Sequence, residues 1–161
     1  MTVMPTAGRA VLFSYIGISI GGAFCGLVSQ WLQSRRKAVA LSFVLLTVSV
    51  GVYVLLPYGG SVGLYYAVCG LMGFSCGYWA MFVQMGAEQF GTNIRATAAT
   101  SIPNFVRGLT IPITYSFRAL IPVAGVTMAG VSVMGTLIVL AFIALYFLKE
   151  TFHTDLDYVE K

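Results

Sequence analysis

Five apolar runs, each about 20 residues long or longer, limit what this sequence can fold into. They cover residues 9–32, 38–56, 61–85, 96–121 and 125–148. The breaks between them read QSRRK, PYGGS, GAEQFGTNIR and PVAG. Membrane β-strands are about 10 residues long and alternate in polarity, unlike these runs. We therefore predict an all-α polytopic membrane protein, a single membrane domain over residues 1–161 with five transmembrane helices and a tail from residue 149.

The composition supports a membrane protein and excludes other classes. Only 9% of the residues are charged and 58% are hydrophobic, whereas soluble domains carry about 25% charged residues. Too few charges are present to cover a soluble surface. The net charge of +4 comes from basic residues scattered between apolar runs, not from a basic face. We expect a lipid bilayer as the environment and no nucleic acid as a partner.

The cysteines and the single histidine do not form a reactive or metal-binding set. Cys25, Cys69 and Cys76 lie inside apolar runs without a CxxC pair, which favours small packing residues. His153 lies in the tail, and no carboxylate pair lies within a run. Because acid–base catalysis needs such groups, we expect no enzyme, no metal and no cofactor beyond a coupling proton or sodium ion.

The lysines and arginines predict the orientation. Six of the nine lie in the first break, the third break and the tail, as Arg35, Arg36, Lys37, Arg95, Lys149 and Lys161, whereas the other side has Arg9 and, near its edge, Arg118. These segments share one side if every run spans, and the positive-inside rule makes that side cytoplasmic. Met1 then lies outside without a signal peptide, which suggests a fragment of a longer protein. We expect an integral protein of a bacterial inner membrane with a cytoplasmic C-terminus.

The runs differ in polarity. The first, third and fourth carry amides or arginines, whereas the second and fifth carry only scattered Ser, Thr and Tyr. Because a polar group facing hydrocarbon is costly, the polar runs should face a cavity or one another, and the other two should face lipid. Glycine pairs four residues apart, Gly17–Gly21, Gly22–Gly26 and Gly73–Gly77, indicate close helix packing, although glycine is generally frequent in membrane helices.

The fourth run contains an arginine about ten residues inside a predicted span. Arg107 belongs to a stripe spaced by three or four residues, which keeps its members on one helix face: Thr100, Asn104, Arg107, Ile111, Tyr115 and Arg118. Pro103 and Pro112 lie in the same run and can kink the helix. Arg118 is close enough to the outer interface to extend towards it.

Two interpretations of Arg107 are open. An intramembrane charge suggests a functional site, and a guanidinium suits a carboxylate, so Arg107 with Asn104 would contact an anionic solute or a gate. Alternatively, Arg107 is structural and bonds to backbone carbonyls.

Further solute-binding candidates lie on the first and third runs. The third has a face with Tyr66, Cys69, Gly73, Cys76, Ala80, Gln84 and Glu88, and Trp79 lies beside it. The first run places Tyr15, Ser19, Gly22 and Gly26 roughly on one face. We select Gln84, Trp79, Tyr66 and Tyr15, although aromatic residues near span ends are often interface anchors.

The sequence resembles the C-terminal half of a major facilitator superfamily transporter. The segment GLVSQWLQSRRKAVAL looks like the glycine-then-basic loop after the second helix of a six-helix half. The segment GAEQFGTNIRATA looks like the loop between the fourth and fifth helices, and KETFHTDLDYVEK is similar to the Glu-Thr ending of sugar-porter-like members. The spacing of the five runs agrees, so the resemblance covers nearly the whole chain.

The resemblance implies that the runs are helices eight to twelve, with helix seven and the N-terminal six-helix bundle absent. Helices eight, ten and eleven would then line a cavity. It also implies a cytoplasmic gate, formed by Arg35, Arg36, Glu88, Arg95 and Glu150. The basic pair could instead only determine topology. A coupling carboxylate would lie in the absent half or be Glu88.

These observations leave two functional hypotheses. The first is a secondary transporter of a small polar solute, such as a sugar acid or other organic anion, that works by alternating access. The second is a small membrane scaffold or accessory subunit that moves no solute and buries its polar faces against a partner.

Overall fold

The computed structural model describes residues 5–55 and 61–153, and these ranges are helical without a strand. A 3₁₀ turn at Cys76–Tyr78 joins α3 to α4. The helices are α1 (Ala7–Leu32), α2 (Arg35–Leu55), α3 (Val62–Ser75), α4 (Trp79–Ala87), α5 (Thr92–Gly108) and α6 (Thr110–Phe147). Four segments are long and apolar enough to cross a membrane: Ala7–Leu32, Arg35–Leu55, Val62–Ala87 and Thr92–Phe147.

The all-helical class is confirmed, but the count of five spanning helices is not. The fourth and fifth predicted runs form one helical segment, Thr92–Phe147, which is interrupted at two points and not by a loop. The predicted break at residues 57–60 and the tail beyond His153 lie outside the described residues.

The connection between α1 and α2 is shorter than predicted. Gln33 ends α1 in the left-handed conformation with φ 46°, and Ser34 caps α2 by accepting a hydrogen bond from the Lys37 backbone N–H at 3.2 Å. Arg35, Arg36 and Lys37 therefore form the first turn of α2 and are not in a loop. The predicted start at residue 38 was wrong because apolarity located the run, whereas the serine cap determines where the helix begins.

The chain divides into two compact units, Met1–Met81 and Phe82–Lys161. In the first unit, α1, α2 and α3 pack against one another, with the most extensive contact between α1 and α3. Glycines determine that contact. A Cβ at Gly21 would meet the Phe74 backbone, and one at Gly73 would meet the Ser14 carbonyl. The two backbones are thus in direct contact.

The glycine prediction is correct for most of the pairs. Gly17 and Gly77 also lie where a Cβ would strike the facing backbone, whereas Gly26 has open space around it. The four-residue spacing therefore marks the interface on α1 at Gly17 and Gly21, and the Gly26 end of the second pair does not take part.

Buried hydroxyls link all three helices of the first unit. The Ser49 and Ser75 hydroxyls, each 1% exposed, are hydrogen-bonded at 2.9 Å between α2 and α3. Ser42 donates to the Cys25 Sγ at 3.7 Å, between α2 and α1, and Ser14 donates to the Cys69 carbonyl, between α1 and α3. Such bonds contribute about 0.6 kcal/mol each in membrane proteins, so they supplement the glycine packing.

The glycine interface predicts a large difference between two identical substitutions on α1. Gly21→Ala forces the helices apart, and overpacking of this kind costs about 1–3 kcal/mol. Gly26→Ala has open space and should leave stability unchanged or slightly increase it. Unfolding in mixed detergent micelles measures both variants. Equal stabilities would show that α1 and α3 are not in backbone contact.

The second unit contains a chain reversal within α6. Gly125 has φ 77° and ψ 165°, a conformation open essentially to glycine. It separates a first arm, residues 110–124, from a second arm, residues 126–147. A straight helix over Thr92–Phe147 would be about 84 Å long, yet Gln89 before it donates a hydrogen bond at 3.0 Å to the Lys149 carbonyl after it. The segment must therefore fold back on itself.

A second contact locates the reversal at Gly125. A Cβ built on Gly130 would lie 3.9 Å from the Phe117 ring. Thirteen residues of straight helix would separate these positions by about 20 Å. The two arms of α6 therefore lie side by side next to the Gly125 turn. Ala129, which is fully buried, lies at this contact end of the second arm.

A smaller interruption separates α5 from α6 at Leu109. Pro112 lacks the N–H that would donate to the Gly108 carbonyl, so the helical ladder is incomplete at this point. Leu109 itself stays near helical geometry, with φ −66° and ψ −15°. Pro103 lies inside α5 without interrupting it. The break between α5 and α6 thus falls three residues before Pro112, and a kink at either proline stays a prediction.

A substitution at Gly125 should strain the backbone without causing a steric clash. No atom lies within 4 Å of a Cβ at this position, so Gly125→Ala tests the backbone alone and should lower stability by about 1–3 kcal/mol. Gly135→Ala, on the second arm with equally open surroundings, is the matched control and should be neutral or stabilising. Thermal unfolding in detergent measures both. If the two variants had the same melting temperature, the turn would not be at Gly125.

Candidate functional site

The stripe on α5 and the first arm of α6 lies on the surface of the chain. All six of its residues are exposed: Thr100, Asn104, Arg107, Ile111, Tyr115 and Arg118. The spacing of three and four residues predicted one shared face, and their common exposure agrees with it across the interruption at Leu109. In addition, α5 contains no buried residue, so this helix exposes polar groups that a membrane-embedded helix should cover.

The amide and hydroxyl donors beside Arg107 are bonded to their own helix. Asn104 Nδ2 donates to the Thr100 carbonyl at 3.0 Å. The Thr100 hydroxyl lies 3.2 Å from the Ala96 carbonyl and 3.0 Å from the Thr97 carbonyl. What these residues offer to a ligand is their oxygen lone pairs and the second N–H of the Asn104 amide.

Arg107 lies in the last turn of α5, where a positive charge is favourable beside the negative end of the helix dipole. This position would therefore suit a structural arginine whose guanidinium donates hydrogen bonds to the last backbone carbonyls of α5. However, among the described residues of its own unit, 82–153, Arg107 makes no hydrogen bond or ion pair.

Gln84 is bonded to the charged end of α4. Its Nε2 donates to Glu88 Oε1 at 3.2 Å, one helical turn further on. Glu88 is only 6% exposed, whereas Gln84 is exposed. The predicted solute-binding Gln84 thus stabilises the predicted gate carboxylate.

The aromatic candidates Tyr15, Tyr66 and Trp79 belong to the first unit, and they do not form one surface. Tyr66 is buried and stacks on Phe13 with ring centroids 5.3 Å apart. Its hydroxyl accepts a hydrogen bond from the Thr6 backbone N–H at 2.9 Å. Tyr15 is exposed on α1, and Trp79 is partly exposed.

The predicted cavity face of the third run is in part a helix interface. Tyr66, Cys69 and Gly73 pack against α1 through Phe13 and Ser14. The helical spacing identified a shared face correctly. It could not distinguish a cavity from a neighbouring helix, because both select small and weakly polar residues.

The predicted gate residues of the second unit lie on segments that the structure joins. The link is the hydrogen bond from Gln89, next to Glu88, to the Lys149 carbonyl, next to Glu150. Arg95 donates from Nε and Nη2 to the Phe90 carbonyl, both at 3.3 Å. The turn at residues 88–91 and the chain after α6 are therefore adjacent.

Glu150 also organises the chain after α6. Its Oε1 accepts hydrogen bonds from the backbone N–H groups of Thr151, at 3.0 Å, and Phe152, at 3.2 Å. The other predicted gate residues, Arg35 and Arg36, are half-buried in the first turn of α2, in the first unit.

Gln89 makes a contact that sequence reasoning missed. It is separated from Lys149 by 60 residues, and a polar residue in a turn gives no signal of a distant partner. Comparison with known proteins adds no candidate: no family model matches the chain, and neither the curated proteins nor the solved structures yield a match.

Proposed function

We propose that this chain is the C-terminal part of a secondary transporter that moves a small organic anion by alternating access. The observation that carries the proposal is the exposed stripe around Arg107 on a helical segment apolar enough to span a membrane. An arginine keeps its charge in proteins, and its planar fork fits a carboxylate through two parallel hydrogen bonds. An anionic solute would therefore satisfy a group that lipid cannot.

Transport requires that this ion pair form and break. A carboxylate reaching Arg107 from one side of the membrane would lose water and gain the guanidinium donors. Rocking of two helix bundles about the site would then expose it to the other side. In the proposal, the partner bundle is the N-terminal six-helix half, which would cover the stripe and supply coupling to a proton or sodium ion.

The proposal includes five spans. The Gly125 reversal supports it, because α5 together with the first arm of α6 can cross the bilayer in one direction and the second arm can cross it in the other. The second arm has 22 residues, or about 33 Å of helix, which is enough for the hydrocarbon core of about 30 Å. The Gln89–Lys149 contact supports a common side for the turn at residues 88–91 and the chain after α6, with the basic residues at the cytoplasm.

Cysteine labelling tests this topology. In a background with Cys25, Cys69 and Cys76 replaced by alanine, a maleimide that cannot cross membranes should modify Val123→Cys, beside the Gly125 turn, in intact cells. It should modify Asn93→Cys and His153→Cys only in inverted vesicles. Labelling of all three positions from the same side would contradict five spans.

Proton or sodium coupling would act through the gate as the bundles rock. Glu88, Arg95 and Glu150 lie on two segments joined by Gln89, so their ion pairs could close the cytoplasmic side in one state. Charges at a membrane edge suit this role because water re-solvates them when the pairs open.

Uptake into proteoliposomes tests the transport proposal. The protein encoded by the complete reading frame should accumulate at least one of radiolabelled gluconate, pyruvate and benzoate above protein-free vesicles. Arg107→Gln should lower that uptake at least about 100-fold, the effect expected when a charge-assisted pair of about 3 kcal/mol is lost. It should leave the melting temperature unchanged, because the side chain lies on the surface. Arg9→Gln, which removes an exposed arginine from α1, should retain uptake.

Unchanged uptake by Arg107→Gln would refute the assignment of Arg107. The second candidate, a membrane scaffold, is favoured by the absence of buried residues in α5, since a protein partner could cover that surface. The reading frame upstream of the Met1 codon separates the candidates. An open frame that encodes further spans favours the transporter, whereas a stop codon and ribosome site before Met1 favour the scaffold.

A further inference from the structure

We infer that the solute is a monocarboxylate with an apolar, preferably aromatic, body and not a polyhydroxylated sugar acid. The inference rests on the proposed function, because it takes Arg107 as the carboxylate site. It follows from the order of side chains on the stripe and from the hydrogen bonds already made there.

Two exposed apolar side chains continue the stripe beyond Arg107. Ile111 is 72% exposed and Tyr115 is 76% exposed. They lie four and eight residues further along the chain, or about 6 Å and 12 Å along the helix axis. Leu109, which lies between Arg107 and Ile111, keeps near-helical dihedral angles. Arg107, Ile111 and Tyr115 therefore share a face. A solute bound by its carboxylate at Arg107 would extend its body over Ile111, and a longer body would reach Tyr115.

The other end of the stripe, at Thr100 and Asn104, suits a sugar body poorly. A polyol needs both donors and acceptors from its site. The Thr100 hydroxyl and the Asn104 Nδ2 group already donate to backbone carbonyls of their own helix. Only the second N–H of the Asn104 amide then remains for the several hydroxyl acceptors of a polyol, and each buried unsatisfied polar group is costly.

Placing the body of the solute over Ile111 and Tyr115 has no such cost. Ile111 offers an aliphatic surface, and the Tyr115 ring can contact an aromatic body at its face or edge. When a solute binds over these side chains, apolar surface is removed from water, and this favours binding. The stripe thus has one end that recognises charge and a neighbouring end that recognises an apolar body.

Binding to the detergent-solubilised protein from the complete reading frame tests the inference. Radiolabelled benzoate should bind saturably, and Arg107→Gln should abolish the binding. Unlabelled benzoate should compete at least about tenfold better than gluconate. Benzamide, which has the same ring without the charge, should not compete. Measuring binding avoids the passive diffusion of benzoic acid through lipid.

A pair of isoleucine variants tests the position of the body. Ile111→Ala should weaken benzoate binding about tenfold, the lower end of the effect of small changes in an apolar pocket. Ile143→Ala makes the same change at an exposed position on the second arm and should bind benzoate normally. Equal affinities of the two variants would overturn the placement over Ile111.

The remaining outcomes separate this inference from the proposed function. Arg107-dependent binding of labelled gluconate that exceeds benzoate binding would overturn the inference and leave the anion site in place. If neither gluconate nor benzoate bound in an Arg107-dependent way, the carboxylate site would be refuted together with the inference.

Discussion

The backbone contact between α1 and α3 is the interaction on which the first unit depends. Gly17 and Gly21 on α1 face the α3 backbone at Gly70 and Phe74, and Gly73 on α3 faces the Ser14 backbone on α1. Any side chain at these glycines would separate the backbones. Lipid is as apolar as the side chains, so helix association in a membrane depends on van der Waals contact and hydrogen bonds. The glycines supply the first, and they bring hydroxyls such as Ser14 close enough to supply the second.

The second unit is organised by chain direction and not by close packing. Gly125 allows a reversal that other residues would resist, and this reversal returns the end of α6 to the turn at residues 88–91. The Gln89–Lys149 hydrogen bond records the result. The conformation of Gly125 therefore determines whether the segment Thr92–Phe147 is a straight helix of about 84 Å, too long for a bilayer, or a helical hairpin that fits the membrane thickness.

The sequence predicted features that depend on local spacing and failed where a partner had to be known. Helical class, the glycines of α1 and the shared face around Arg107 all follow from periodicity within one helix. The start of α2 was missed because Ser34, a polar residue outside the apolar run, determines it through a cap. Tyr66 was assigned to a cavity because spacing identifies a face but not what packs on it. Nothing local connects Gln89 to Lys149.

The Ser49–Ser75 pair of the first unit and Arg107 of the second show two opposite placements of a polar group. In the first unit, the hydroxyls of Ser49 and Ser75 point inwards and satisfy each other, so they stabilise the fold and leave nothing for a ligand. In the second, Arg107 lies on the surface of an apolar helical segment. The cost of a charge in lipid is the same for both units. In the proposed function, a carboxylate covers the charge that the fold leaves exposed at Arg107, because a guanidinium suits a carboxylate.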